Sequence, residues 1–194
     1  MTSAIPALES WLPAEYAPDR ASDIRGHLPM LYDAARGRRV MELGVDRGVS
    51  TSAFLAANEQ HGGITLSVDC RDCRAFHGHP CWRFIQADSL DATIVPTGDP
   101  AFDVLFIDTD HSYGRTLGEL KAWSGALRSD GVILLHDVDN PMYPGVGDAI
   151  REFIGHGGFS VAYHHGSFGL AEIRRNRDAV TAFGMPSEFG LTIS

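Results

Sequence analysis

From residue 38 onward, short apolar runs alternate with helix-forming stretches, and nearly every run ends in an acid or a histidine. RVMEL (39–43), ITLSVD (64–69), WRFIQAD (82–88), FDVLFID (102–108) and GVILLHD (131–137) read as strands. The last two are almost wholly apolar, as strands buried on both sheet faces must be. Helix signals fall at 50–60, at 112–128 with Leu117, Leu120, Trp123 and Leu127 in helical spacing, and from Gly147 to Ile154. Such alternation requires crossover connections, and so a mostly parallel sheet with helices on both faces. FSVAYHH (159–165) and SFGLAEI (167–173) are separated only by Gly166, too short a link for anything but an antiparallel pair. The expected fold is α/β, a doubly wound three-layer α/β/α sandwich closed by one antiparallel strand.

Three segments follow from this pattern. Residues 1–37 form an N-terminal helical arm or lid, 38–175 the core, and 176–194 a polar tail. In the arm, Pro6, Pro13 and Pro18 break the chain, and Ile24, Leu28, Leu31 and Ala35 then recur at helical spacing. Pro29 lies inside that pattern, so the helix is expected to restart there. Trp11, Tyr16 and the 24–35 helix are candidate covers for an acceptor site. At 194 residues and 44% hydrophobic, the chain is large enough for one buried core.

A net charge of −9 repels phosphate backbones, and Arg36–Arg39 and Arg174–Arg177 are the only short basic clusters, so no nucleic-acid partner is expected. No run of about 18 apolar residues predicts a membrane span. The first twenty residues lack a basic stretch followed by an apolar one, and the three cysteines suit reduced thiols, so the expected compartment is the cytoplasm. A homodimer is an open possibility.

In an open parallel sheet, ligands bind beyond the carboxyl ends of the strands. Those ends hold Glu42–Gly48, Asp69, Asp88, Asp108–Tyr113 and His136–Asn140. The first loop, E42-L-G-V-D-R-G48-V-S-T51, has glycines at G-x-x-x-G spacing rather than the G-x-G-x-x-G of dinucleotide sites. Its acids, Glu42 and Asp46, suit a cationic ligand better than a diphosphate. Asp69 ends the second strand, where a carboxylate can accept both hydroxyls of a ribose. Asp88 ends the third, within reach of an adenine amino group. A single aspartate at a strand end is usually a turn former; three in register with a glycine loop form a pattern.

These residues carry a family resemblance. VMELGVDRGVSTSAFLA is similar to motif I of class I S-adenosylmethionine-dependent methyltransferases. IDTDHSY and DGVILLHDVDNPMYPGV resemble the motif IV–V region of a small-molecule branch, which includes enzymes of natural-product and sugar O-methylation. The resemblance spans about residues 23–173. It implies a Rossmann-like seven-stranded sheet of order 3-2-1-4-5-7-6 with strand 7 antiparallel, and methyl transfer from a sulfonium donor to a small-molecule acceptor, most readily at oxygen. It also implies that Glu42, Gly44, Gly48, Ser50 and Thr51 hold the amino-acid end of the cofactor. Asp69 would bind the ribose, Asp88 and Ser89 would meet the adenine, and Asp108 would line the same site.

The transfer needs a group to take the acceptor's proton. His111, His136 and Asp137 are the candidates, histidine being poised near neutral pH. In catechol-type O-methyltransferases, aspartates at the ends of the fourth and fifth strands bind Mg²⁺ and an asparagine follows the second. Asp108 and Asp137 match, but Val138 follows Asp137, with Asp139 and Asn140 close by. C70-R-D-C73-R-A-F-H77-G-H79-P-C81 has zinc-type donors, yet they crowd into a dozen residues, which favours ordinary reduced thiols. His164 and His165 sit at the last hairpin turn and, being consecutive, point to opposite faces; one could face a substrate, but surface exposure is the expectation. Two other functions compete: a metal-dependent hydrolase built on Asp108, His111, His136 and Asp137, and a non-catalytic cofactor-binding protein. A short-chain oxidoreductase is disfavoured, because no tyrosine has a lysine four residues on.

Overall fold

The structure is a computed structural model that describes residues 22–73, 76–91, 93–94 and 101–176. Trp11, Tyr16, the rest of the 1–21 arm and the tail after Asn176 lie outside the described residues. Seven strands form one sheet: β1 (Arg39–Leu43), β2 (Ile64–Asp69), β3 (Trp82–Gln86), β4 (Phe102–Ile107), β5 (Leu127–His136), β6 (Phe159–His164) and β7 (Leu170–Arg175). Their order is β3-β2-β1-β4-β5-β7-β6. The first five are mutually parallel, and β7 runs antiparallel to both β5 and β6. Among the described residues, four α-helices complete the layers: α1 (Leu28–Ala35), α2 (Val49–His61), α3 (Tyr113–Trp123) and α4 (Pro144–Gly155).

The restart at Pro29 is visible as a 3-10 turn, Asp23–His27, that hands over to α1 with the proline in its first turn. There its missing N–H costs no hydrogen bond. Ile24, Leu28, Leu31 and Ala35 are all buried and pack with Phe54 of α2 against Val40, Val104, Phe106, Val132 and Leu134. The 24–35 segment is therefore a layer of the sandwich, and of its residues and its leading turn only Asp23 reaches the cavity described below. On the opposite face, Leu117, Leu120 and Trp123 of α3 and Val146, Ala149, Ile150 and Phe153 of α4 pack on Met41, Leu105, Ile107, Ile133 and Leu135. Each large apolar side chain so buried contributes about 1.5–3 kcal/mol.

Several boundaries differ from the sequence reading: β3 stops at Gln86, two residues short of Asp88, and α4 begins at Pro144 rather than Gly147. β5 begins at Leu127 rather than 131, because Leu127 pairs with Phe102 across a register shift. The 112–128 helix stops at Trp123 and ends in a 3-10 turn, Ser124–Ala126. The β6–β7 connection is longer than one glycine: Gly166, Ser167, Phe168 and Gly169 all have positive φ, and β7 starts only at Leu170. Among the described residues, no helix is long and apolar enough to cross a membrane.

Candidate functional site

The carboxyl ends of β1, β2, β4 and β5 and the loop after β3 open on one cavity of about 510 Å³. Its wall includes Gly44, Asp46, Asp69, Arg71, Asp88, Ser89, Asp108, Thr109, Asp110, His111, Arg115 and Asp137. Gly44 fixes its floor. With φ at +88° and a hypothetical Cβ only 1.9 Å from the Asp108 carbonyl oxygen, the position tolerates no side chain. The loop after β1 is thereby drawn onto the end of β4.

Asp69 ties the first loop to the second. One of its oxygens accepts from the backbone N–H groups of Val45 (2.9 Å) and Asp46 (3.2 Å), the other from that of Arg71 (2.8 Å). Burial pushes this carboxyl up, but the three N–H donors and the Arg71 guanidinium outweigh burial and hold it below the usual carboxylate range. Arg71, which the sequence reading missed, reaches across to Asp46 at 3.1 Å.

At the β3 side, Arg115 of α3 grips the Asp88 carboxylate at 2.6 Å and holds it down to about 2. Behind them lies Glu119, fully buried and also missed. Ser89 and Thr109 both donate their hydroxyls to it, and burial raises it to about 7. Its signal was present in the sequence: an acid three residues after Thr116 and four before Trp123, on the apolar face of α3.

At the β4–β5 side, four expected residues meet. His111 Nε2 lies 2.9 Å from both Asp108 Oδ1 and Asp137 Oδ2. His136 Nδ1 faces the same two oxygens at 3.5 Å, too far to seat on either, while its Nε2 is 2.8 Å from the Ser167 carbonyl oxygen. Burial works against charge on both rings, but the carboxylates prevail: His111 is raised to about 9 and His136 to about 10. Asp137 is pulled well below its ordinary value despite burial, by the two imidazoles and by Asn140, whose amide donates to it at 2.6 Å. Tyr143 stacks on the His111 ring at 4.6 Å. Asp46, His111 and Asp137 all take left-handed backbone conformations, with φ of 46°, 60° and 64°. Each costs about 1 kcal/mol or more, a concentration of strain typical of functional sites.

The structure separates the remaining candidates. Glu42, Gly48, Ser50 and Thr51 do not line the cavity. Glu42 is buried beneath the first loop, where its oxygens accept from Ser50 (2.6 Å), Thr51 (2.9 and 3.0 Å) and Ser67. Ser50 and Thr51 thus spend their hydroxyls on Glu42. Burial raises this acid to about 7. Gly48 has φ of +79° and lies against Phe76. His136 is 1% exposed and contacts the cavity only through its neighbours. His164 pairs with Glu172 and His165 with Asp139, both away from the wall.

One cluster of metal-type donors occurs among the described residues. Single donor atoms of Asp108, His111 and Asp137 lie within 4.8 Å of one another. The two carboxylate oxygens are the hard donors that a divalent cation such as Mg²⁺ takes. Asn140, the nearest amide, is already turned onto Asp137. Cys70, Cys73, His77, His79 and Cys81 bring no three donors together, and the cysteines are free thiols.

Residues 41–138 match the family model of the methyltransferase domain. The chain belongs to the methyltransferase domain family. No curated protein matches it in sequence. Solved methyltransferase structures share its fold at low identity. The SAH-bound methyltransferase PaMTH1 of Podospora anserina is 18% identical, with a TM-score of 0.65 over 90% of this chain and 89% of that one. Cofactor-bound Rv0187 from MTB is 20% identical, with a TM-score of 0.68 over 91% and 93%. MycE methyltransferase of the mycinamycin pathway, solved with Mg, SAH and mycinamycin VI, is 18% identical, with a TM-score of 0.65 over 94% of this chain and 57% of that one.

Proposed function

We propose that this methyltransferase takes its methyl group from S-adenosylmethionine and delivers it to a hydroxyl of a small-molecule acceptor, with His111 receiving the acceptor's proton. The observation that carries the reading is the convergence, on one cavity at the strand ends, of the Gly44 loop, the Asp69 carboxylate and the His111–Asp108–Asp137 cluster. PaMTH1 was solved with SAH and MycE with Mg and SAH, which supports the same donor and an ion here.

In this reading Asp69 receives the ribose hydroxyls, and Asp88 with Ser89 receives the base. The wall holds seven aspartates against Arg71 and Arg115, a field that favours the cationic sulfonium over the neutral thioether product. The acceptor oxygen attacks the methyl carbon in line as the S–CH₃ bond breaks and its electron pair passes to sulfur. His111 turns Nε2–H toward the two carboxylates, which leaves Nδ1 to take the proton. Asp108 and Asp137 stabilise the imidazolium that results. His136, tied to Ser167, sets its charge against both carboxylates from 3.5 Å as a positioning residue. A Mg²⁺ ion held by Asp108 and Asp137 would polarise the acceptor oxygen and lower its pKa.

The test is methyl transfer from labelled donor to a panel of phenols and sugar alcohols, by the wild type and His111→Ala. The expected result is transfer to at least one hydroxyl, lost in the variant while SAH binding persists. Undiminished transfer in His111→Ala contradicts the role given to that residue.

A further inference from the structure

Glu119 lies outside the mechanism above, yet it touches the cavity wall twice. The two hydroxyls nearest it belong to Ser89, after β3, and Thr109, after β4, and both residues line the cavity. Ser89 donates to Glu119 Oε1, and Thr109 donates to Oε2 at 2.9 Å. Each hydroxyl has one proton and two lone pairs. With the proton spent on Glu119, neither can donate to anything in the cavity. Ser89 has one lone pair taken by Arg115 Nη1 at 3.0 Å and one left. Arg115 is almost fully spent as well. Four of its five N–H groups go to Asp110, to Ser89 and twice to Asp88. Asp88, an ionised carboxylate, accepts only. This part of the wall is therefore a surface of hydrogen-bond acceptors, and a buried acid behind it fixes that polarity.

We infer that Glu119 is a specificity-determining residue: by claiming the protons of Ser89 and Thr109, it makes the base subsite select a purine that carries an exocyclic amino group over one that carries an oxo group. The inference rests on the cofactor reading given above, since it takes the base to lie at Asp88 and Ser89. Adenine presents a donor at its six-position. Hypoxanthine presents an acceptor there, which would face the acceptors of Asp88, Ser89 and Thr109, its own proton lying one position away on N1. A buried polar mismatch of this kind discriminates far more strongly than a missing methylene.

The experiment compares S-adenosylhomocysteine with S-inosylhomocysteine, its six-oxo counterpart, by calorimetry at pH 8.5. At that pH Glu119, raised by burial to about 7, is ionised and can only accept. The wild type should bind the adenine compound at least about tenfold more tightly than the inosine compound. Glu119→Gln places an amide N–H₂ behind the hydroxyls, so that one can turn its proton into the cavity. Its preference should fall to within about threefold. Ser89→Ala removes one acceptor from the wall together with one of the two protons that Glu119 claims, and should lower the preference in the same direction if Glu119→Gln does not fold. A loss of overall stability would weaken both ligands alike and leave their ratio unchanged, so the ratio separates this role from a structural one.

Equal binding of the two compounds by the wild type overturns the inference, as does a Glu119→Gln protein that keeps the full preference. Failure of the folded wild type to bind either compound is a different result: it removes the cofactor reading itself.

Discussion

Methyl transfer should accelerate with pH up to about 9 and then level off. The cause is the placement of His111 Nε2 at 2.9 Å from both Asp108 and Asp137, which raises the ring to about 9 against the opposing effect of burial. Relative to a free histidine, that is roughly 3 kcal/mol in favour of the imidazolium. A protonated ring cannot take a proton, so at pH 7 only about one molecule in a hundred carries the reactive form. Below the break, kcat/KM should rise about tenfold per pH unit. Asp137→Asn keeps the shape of the side chain and removes one of two equidistant countercharges, so it should move the break down by about one pH unit. His136, held at about 10, stays charged through most of this range and does not blur the step. The assay is initial-rate transfer of labelled methyl between pH 6 and 10.5, in the presence of chelator so that no ion competes with the proton. A flat profile, a break near the ordinary histidine value, or an Asp137→Asn enzyme that still breaks at about 9 would refute the reasoning.

The same pair should make the fold less stable in alkali. His111 and His136 are raised in the folded state, so their contribution is complete below the unfolded value of 6.5 and is lost as pH climbs through about 9 and 10. Thermal unfolding at pH 7 and pH 10 should show the melting temperature falling, and a rise would contradict it. Mg²⁺ and the His111 proton compete for the same carboxylates, so calorimetric Mg²⁺ affinity should climb with pH from 7 to 9 and disappear in Asp108→Ala; affinity independent of pH would separate the ion from this cluster. Gly44→Ala should cost roughly 2–5 kcal/mol in denaturant unfolding, from left-handed strain plus collision with the Asp108 carbonyl. Gly62→Ala, with positive φ but open space around it, should cost only about 1–3 kcal/mol, from backbone strain without the collision. Equal losses at the two glycines would show that the close approach of β1 and β4 is not what Gly44 serves.

The parallel part of the sheet was legible because each of its five strands has an apolar run that leads into a glycine or an acid. The strand ends therefore placed Asp69, Asp88, Asp108, His111 and Asp137 around one cavity before any coordinates. The 24–35 helix shows the limit of that reasoning. Its apolar spacing was visible, but the same stripe serves a lid or a sheet layer, and only packing against Val40, Phe54 and Val104 decides for the layer. Glu42, Ser50 and Thr51 illustrate a second limit. A motif fixes where residues sit along the chain, whereas the direction of a hydroxyl depends on which buried acid needs it. Arg71 and Arg115 were invisible because an arginine on a loop or helix carries no mark of the carboxylates it will meet. The β6–β7 loop was misjudged for a backbone reason. Ser167 and Phe168 adopt positive φ that their side chains do not favour, with the Ser167 carbonyl braced against His136.

The most direct measurement is calorimetric titration of S-adenosylmethionine and S-adenosylhomocysteine into the wild type and into Asp69→Ala. The Asp69 carboxylate joins the first two loops and faces the cavity. Saturable micromolar binding of both ligands by the wild type, lost in a variant that keeps its circular dichroism, is the predicted result. A folded wild type that binds neither ligand would contradict it, and the acids at the strand ends would then have to serve another chemistry.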